Sequence, residues 1–211
     1  MSKTIALFGA TGGSGRAFLP KALAAGYSVR ALVRTPSKLT TSHERLTVIE
    51  GDILQAGDVQ RTVAGADVVV SLIGQVKGSP KDLQTRGTQH IVDAVKARGP
   101  VKIISLTGGA VPYEKDRPKL IDKLFRGVMG TFFKHVVADA TAHARVLEAS
   151  GLPYVIVRGP RLTDGAEKGR YRTGYVGVDA SASISRADLA DFILRQIESD
   201  QYVGDMPFVS Y

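Results

Sequence analysis

Three glycines spaced three apart constrain the fold of this chain more than any other feature. Gly9, Gly12 and Gly15 follow an apolar run at residues 4–8 and lead into a helical pattern at residues 14–25. Glycine at such a junction allows a positive φ angle and lets another group approach the backbone. The amino end of the helix adds free N–H donors and a partial positive charge, so the junction predicts a phosphate-binding turn for a dinucleotide. Further backbone or hydroxyl donors in this turn are Thr11, Gly13 and Ser14.

Two cations at the end of the second predicted strand indicate which dinucleotide the turn serves. A carboxylate at this place binds the ribose 2′-hydroxyl group of NAD. This chain has Arg34 and Lys38 instead, and no acidic residue occurs between Arg16 and His43. Arg34 can stack on adenine and pair with a 2′-phosphate, and Lys38 can add a second charge. The pattern favours NADP(H); the alternative is a pair of solvated surface cations.

The whole chain alternates short apolar runs with helical patterns. The predicted strands are residues 4–8, 28–33, 46–50, 68–73, 101–106, 154–157 and 206–211, and the predicted helices are 14–25, 55–63, 82–98, 138–149 and 185–197. Repeated strand–helix–strand units with right-handed crossovers give a parallel sheet covered on both faces. The fold class is therefore α/β: a Rossmann-like, doubly wound parallel sheet in a single domain, residues 1–211.

Two irregular segments, residues 107–134 and 158–183, interrupt this alternation. Both follow the carboxyl ends of predicted strands, where ligands bind in open α/β sheets. We expect these insertions to form a small substrate lobe. Residues 123–133 combine aromatics, glycines and cations, so they can form a lid over an aromatic substrate. A docked loop or a dimer contact is the alternative.

Composition limits the possible chemistry and partners. The 211 residues carry a net charge of +8, and they include no cysteine. Disulfides, thiolate metal sites and cysteine nucleophiles are therefore excluded, and the four histidines show no metal-binding spacing. The cations are scattered, which favours attraction of a phosphate-rich cofactor over nucleic-acid binding. With no apolar run of about 18 residues and no signal-peptide pattern, we expect a cytoplasmic protein without membrane contact, as a monomer or homodimer.

Several motifs resemble the short-chain dehydrogenase/reductase superfamily, and more narrowly its atypical branch of NmrA-like and biliverdin reductase B-like NAD(P)H-binding proteins. The resemblance rests on residues 9–15, 30–39, 51–53, 71–74 and 148–158. It implies that Asp52 and Ile53 border the adenine and that Thr107 carries a hydroxyl group near the nicotinamide. It also implies ribose contacts at Leu72, Ile73 and Gly74, and contacts near the nicotinamide amide at Gly159, Pro160 and Arg161.

The chain departs from this superfamily at its usual catalytic motif, Tyr-x-x-x-Lys. In that motif a lysine lowers the tyrosine pKa so that the hydroxyl group can protonate a carbonyl oxygen. No tyrosine in this chain has a lysine four positions later; after Tyr113 and Tyr154, for example, the residues are Arg117 and Arg158. Ordinary alcohol dehydrogenation is therefore not predicted.

Other side chains remain candidates for the chemistry. Asp139 and His143 are four residues apart on one helical face, the spacing of an acid–base pair or of a histidine oriented by a carboxylate. An ordinary surface or interhelix pair is the alternative. Thr107 is expected to point toward the ligand, whereas Ser105 is expected to be buried and bonded to backbone. Arg161 can meet an anionic substrate or a cofactor phosphate.

Two functional hypotheses follow from these features. The first is an NADPH-dependent reductase for a small aromatic or conjugated acceptor, such as a flavin or quinone. Such acceptors take up hydride without a strong protein acid, which fits the missing tyrosine. The second is a non-catalytic NADP(H)-sensing regulator that binds a protein partner. An epimerase is a weaker third hypothesis, because it ordinarily uses the tyrosine.

Overall fold

The computed structural model describes residues 2–120, 122, 127, 131, 133–178 and 181–211. The strands are β1 (Thr4–Phe8), β2 (Ser28–Val33), β3 (Leu46–Glu50), β4 (Val68–Ser71), β5 (Lys102–Gly108), β6 (Tyr154–Gly159), β7 (Arg161–Thr163), β8 (Arg172–Gly174), β9 (Ser183–Ser185) and β10 (Phe208–Ser210). The helices are α1 (Gly13–Ala24), α2 (Ala56–Val63), α3 (Leu83–Arg98), α4 (Lys134–Glu148) and α5 (Arg186–Arg195).

The main sheet has eight strands in the order β3-β2-β1-β4-β5-β6-β10-β8. Strands β1 to β6 and β10 pair in parallel, and β8 pairs antiparallel with β10. The order reverses between β1 and β4, so the chain leaves these two neighbouring strands in opposite directions along the sheet. This is the doubly wound topology that the sequence predicts, and its reversal point is where such sheets open a crevice.

Apolar side chains cover both faces of this sheet. On one face α1 and α5 pack through residues such as Phe18, Leu19, Leu189 and Phe192. On the other face α2, α3 and α4 pack through a second set, which includes Val59, Ile91, Val95 and Leu147. The central strands are buried on both sides, and Val68–Ser71 shows this as an uninterrupted buried run. Helices on both faces therefore hold the strand ends at a fixed spacing.

The segments predicted to be irregular contain some regular structure. Strands β7 and β9 form a small parallel sheet of their own, and β8 extends the main sheet. These additions build the lobe that follows β6. Three-residue strands carry too little periodic pattern to be recognised from sequence. None of the helices in the described ranges has the length and apolarity that a bilayer crossing requires.

Candidate active-site cleft

A cleft of about 830 Å³ opens at the carboxyl ends of the parallel strands, around the reversal point between β1 and β4. Most predicted cofactor residues line it: Gly9, Thr11, Gly12, Gly13, Ser14, Arg34, Lys38, Asp52, Ile53, Leu72, Ile73, Gly74 and Thr107. Gly15 lies beneath the turn rather than in the lining. The chain thus collects at one edge of the sheet the residues that the sequence spreads over its first half.

Backbone geometry explains why the turn requires glycine. Gly9 has a φ angle of +89°, and a Cβ atom there would lie 2.8 Å from the carbonyl oxygen of Leu72, at the end of β4. A Cβ atom on Gly15 would lie 2.1 Å from the carbonyl oxygen of Gly9. Helix α1 can therefore start directly against the turn only because both positions lack a side chain.

No side-chain cap and no acidic residue of the first turn compensates the positive amino end of α1. Its N-cap residue, Gly12, supplies no side-chain cap, and its first turn contains no acidic residue. The free N–H groups and the positive end of the helix dipole are therefore directed at the cleft. This is the arrangement that binds phosphate at helix termini, so the turn fits the pyrophosphate of a dinucleotide.

One end of the cleft carries two cations. Arg34 and Lys38 lie at the end of β2, and neither side chain forms an ion pair or hydrogen bond within the described ranges. Nearby, Asp52 accepts a hydrogen bond at Oδ1 from Leu54 N, 2.9 Å away, which fixes a tight turn. That turn places Ile53 in the lining with 6% of its surface exposed. This end offers an apolar surface for a base beside two unpaired positive charges.

The opposite end of the cleft is apolar. Its walls come from the segment after β5, from α4 and from the lobe after β6: Ala110, Val111, Val136, Val137, Ala140, Pro160 and Leu162. Thr107 lies among them, only 6% exposed, and its Oγ1 atom has no hydrogen-bond partner in the described structure. A buried hydroxyl group without a partner is uncommon, and at the edge of a cleft it points to a bound ligand.

Asp139 caps a helix from outside that helix. Its carboxylate accepts hydrogen bonds from Gln84 N at 2.9 Å, Thr85 N at 2.9 Å and Thr85 Oγ1 at 2.6 Å, all at the start of α3. It also accepts one from Gln75 Nε2 at 2.8 Å. Burial alone would raise the pKa of Asp139, but these hydrogen bonds hold the pKa below its usual value.

His143 forms its hydrogen bond with a strand and not with Asp139. Its Nε2 atom lies 2.9 Å from Ser105 Oγ, while Nδ1 has no partner among the residues described. Burial lowers the pKa of His143 to about 4, against the opposing charge of Asp139, so the ring is neutral at pH 7. Ser105 is buried as expected, but its partner is this ring instead of the backbone.

The expected acid–base pair of Asp139 and His143 is therefore not formed, and neither side chain lines the cleft. The cleft-facing side of α4 carries Val136, Val137 and Ala140, whereas the two polar residues turn toward α3 and β5. Arg161 is also outside the lining. Side chains alternate along a strand, so Pro160 and Leu162 face the cleft and Arg161 faces away.

The chain matches the NAD(P)H-binding family over residues 9–200. It belongs to that family. It is 26% identical over 259 aligned positions to a reductase of Aspergillus terreus, Reductase pytE, over 99% of this chain and 98% of that protein. It spans 34–58% of the length of five longer curated relatives.

Two solved structures show the same fold. A short-chain dehydrogenase/reductase of Veillonella parvula in complex with NADP has a TM-score of 0.82 at 20% identity, over 100% of this chain and 95% of that one. A protein of Streptococcus pneumoniae described as a candidate NADH-flavin reductase has a TM-score of 0.80 at 17% identity, over 99% of both chains. The predicted α/β fold and the resemblance to NAD(P)H-binding proteins are confirmed.

Two features of this NAD(P)H-binding protein escaped sequence analysis. Arg186, the first residue of α5, lines the cleft beside Gly13. Arg158, fully buried, forms two hydrogen bonds of 2.9 and 2.8 Å to Asp116 and a third, of 3.1 Å, to Val111 O. This ion pair fixes the segment after β5 as a cleft wall. A local sequence pattern cannot predict the contact of Arg186 with Gly13 or that of Arg158 with Asp116, because the partners are distant in the sequence.

The predicted lid at residues 123–133 falls mostly outside the described residues. Only 127, 131 and 133 of that segment are described, and Phe133 is the N-cap of α4. The helix itself begins at Lys134, four residues before the predicted start. Its added first turn carries Val136 and Val137 into the cleft wall.

Proposed function

We propose that this protein is an NADPH-dependent reductase of the atypical short-chain dehydrogenase/reductase type, acting on a small, neutral, conjugated acceptor of the flavin or quinone class. The division of the cleft carries the proposal. At one end lie the N–H groups of the phosphate-binding turn and the cations Arg34 and Lys38. At the other end lies an apolar wall with the Thr107 hydroxyl group, which has no hydrogen-bond partner in the described structure. The first end suits NADPH, and the second suits a flat apolar molecule.

The preference for NADPH over NADH rests on Arg34 and Lys38. Both line the cleft, and neither pairs with an acidic side chain among the residues described, which makes them suitable for a 2′-phosphate. Arg34→Ala should raise the Kd of NADPH about 10- to 100-fold, the loss expected for hydrogen bonds to a charged group, and should change the Kd of NADH little. Lys96→Ala, an exposed cation of α3 outside the cleft, is the matched control. Equal losses for NADPH and NADH would remove the basis for this preference.

The acceptor end contains no charged side chain near Thr107 within the described lining, apart from Arg186 at the turn. It also contains no tyrosine, and burial raises the pKa of Tyr113 and Tyr154 instead of preparing either for proton transfer. The described lining therefore offers no proton donor to an acceptor that needs a strong protein acid. A conjugated acceptor can delocalise the charge that it receives.

Reduced nicotinamide, when bound, supplies the hydride. The protein's part is to orient and to exclude water. Val111, Val136 and Ala140 give an acceptor apolar contact, and the Arg158–Asp116 pair holds Val111 in place. The Thr107 hydroxyl group can donate to an oxygen or nitrogen atom at the inner end of the cleft. Each of these roles fixes geometry, which is a major contribution of a protein to hydride transfer.

The test is NADPH oxidation followed by absorbance, with a panel of flavins, quinones and aldehydes. We expect turnover with at least one flavin or quinone and little with simple aldehydes. Tight NADP binding without oxidation by any acceptor would contradict the reductase and return the sensor hypothesis. Turnover confined to aldehydes would contradict the acceptor class.

A further inference from the structure

Arg186 lies across the phosphate-binding turn, although it comes from the far end of the chain. A Cβ atom on Gly13 would lie 2.7 Å from Arg186 Nε and 3.2 Å from Cζ, so the guanidinium group contacts the backbone of the turn. Arg186 lines the same cleft as Gly9, Gly12 and Gly13. A side chain at position 13 would therefore displace the guanidinium group from the turn.

The guanidinium group occupies an unfavourable electrostatic position. It sits at the amino end of α1, where the helix dipole is positive and the first turn holds no acidic residue. Its ion-pair partner is Asp164, at 2.7 Å, whose side chain is 88% exposed. An exposed pair of this kind contributes little stability. A second anion at this point would be attracted by both the arginine and the helix.

Asp188, in the first turn of α5, does not play that part. Its carboxylate turns inward and accepts hydrogen bonds from Tyr211 Oη, Ser185 Oγ and the amides of Lys168 and Gly169. This buried cluster holds the start of α5, and with it the backbone of Arg186, against the segment that follows β7. The arginine is therefore anchored at its backbone, while the one side chain that pairs with it in the described part of the chain is an exposed carboxylate.

We propose that Arg186 binds the pyrophosphate of the dinucleotide across the turn, and that Asp164 is the carboxylate that holds the arginine in the free protein. This inference rests on the proposed placement of the dinucleotide in the cleft. Binding exchanges one ion pair for another: the guanidinium group leaves an exposed carboxylate and gains charge-assisted hydrogen bonds to phosphate oxygens. The lobe after β6 thereby takes part in cofactor binding through α5.

The first test compares ligands with and without a pyrophosphate. Arg186→Met should weaken NADP⁺ binding, measured by titration calorimetry, about 10- to 100-fold. Adenosine 2′-monophosphate keeps the base and 2′-phosphate but has no pyrophosphate, so its Kd should not change. The assignment would be overturned if Arg186→Met bound NADP⁺ as tightly as the wild type does, or if it lost the same affinity for both ligands.

The second test uses Asp164, because a competing carboxylate and an organising one predict opposite signs. Asp164→Asn should tighten NADP⁺ binding about two- to fivefold, since it frees the arginine and removes a nearby negative charge. In the Arg186→Met background that gain should become smaller. Weaker binding in Asp164→Asn would overturn the role of Asp164.

Lys21 and Glu167 provide a matched control. They form a 2.7 Å ion pair that also joins α1 to the segment after β7, but neither residue lines the cleft. Lys21→Met should leave NADP⁺ affinity unchanged, and a loss equal to that of Arg186→Met would reduce the effect to lobe docking and overturn the assignment. If the wild-type protein binds NADP⁺ but reduces no acceptor, only the reductase proposal is contradicted. Weaker NADP⁺ binding by Arg186→Met would then still support the contact between Arg186 and the pyrophosphate.

Discussion

Removal of the Asp139 carboxylate should destabilise the protein, because this side chain of α4 caps the amino end of α3. Helix α3 begins after Asp82, the N-cap residue by position, but that side chain forms no cap hydrogen bond. The carboxylate of Asp139 on α4 takes its place, accepting the amides of Gln84 and Thr85, the Thr85 hydroxyl group and the Gln75 amide. One buried side chain therefore joins α3, α4 and the segment after β4.

The magnitude follows from those bonds. Hydrogen bonds to a charged group contribute about 1.5–3 kcal/mol each, and bonds to one acceptor are not additive. Loss of an N-cap costs about 1 kcal/mol, to which the unsatisfied Thr85 and Gln75 donors add. We expect Asp139→Ala to lower the free energy of unfolding by about 3–4 kcal/mol. Asp139→Asn keeps one carbonyl acceptor and should lower it by about 1–2 kcal/mol.

Urea denaturation of these variants measures the effect. Asp82→Ala is the control, because its exposed side chain makes a single 3.9 Å ion-pair contact, with Arg86, among the residues described. This substitution should change stability by less than about 0.5 kcal/mol. A loss in Asp139→Ala no larger than in Asp82→Ala would refute the capping role. The opposite order, with Asp82 dominant, would mean that the local N-cap rule outweighs the tertiary contact.

Acid gives the same side chain a second signature. The folded-state pKa of Asp139 lies below its ordinary value of 3.8, so its contribution is complete above pH 3.8 and declines as pH falls through the folded pKa. The stability difference between wild type and Asp139→Asn should therefore shrink in acid. A difference that stays constant from pH 7 down to the acid transition would show that the charge is irrelevant.

Three further predictions concern the cleft and its supports. Thr107→Val should reduce kcat at least about tenfold while leaving stability unchanged or slightly raised, since the hydroxyl group has no hydrogen-bond partner within the described structure; a destabilised Thr107→Val, or full activity, would contradict this. Arg158→Met should lower the free energy of unfolding by about 3–5 kcal/mol in urea denaturation, because it removes a fully buried guanidinium group and its hydrogen bonds to Asp116 and Val111 O; a loss below about 1 kcal/mol would contradict it. Burial lowers the pKa of His143 to about 4, so its contribution is complete above pH 6.5 and falls by about 3 kcal/mol toward pH 4; His143→Gln should flatten that part of the stability profile, and an unchanged profile would exclude His143 as the cause.

Local sequence patterns predicted seven of the eight strands of the main sheet and the residues at the dinucleotide end of the cleft. The apolar runs at residues 4–8, 28–33 and 46–50 match β1, β2 and β3 at both ends. In β1 the cause is the continuous apolar signature of a buried parallel strand. The small strands β7, β8 and β9 were missed, since three residues carry no usable period. Helix starts shifted by up to four residues for a related reason: α4 begins in a segment without a recognisable cap.

The polar residues of α4 show where sequence reasoning ends. A spacing of four correctly places Asp139 and His143 on one helical face, but it does not say what that face meets. The structure sets Asp139 against the start of α3 and His143 against Ser105 on β5. The packing of α4 on the sheet brings both partners there. Because each partner is distant in the sequence, a local pattern cannot predict these contacts.

The sequence by itself determined the phosphate turn and the cations at the end of β2. Each depends on a local property. The turn needs a positive φ angle at Gly9, which residues other than glycine rarely adopt, and the end of β2 carries Arg34 in place of a carboxylate. Only the tertiary structure decided what faces that turn. Arg186 reaches Gly13 because α5 packs beside α1 on the same face of the sheet, an arrangement set by burial of their apolar residues and independent of the arginine. Local chemistry therefore defined the ligand, and packing across the sheet selected the residues placed around it.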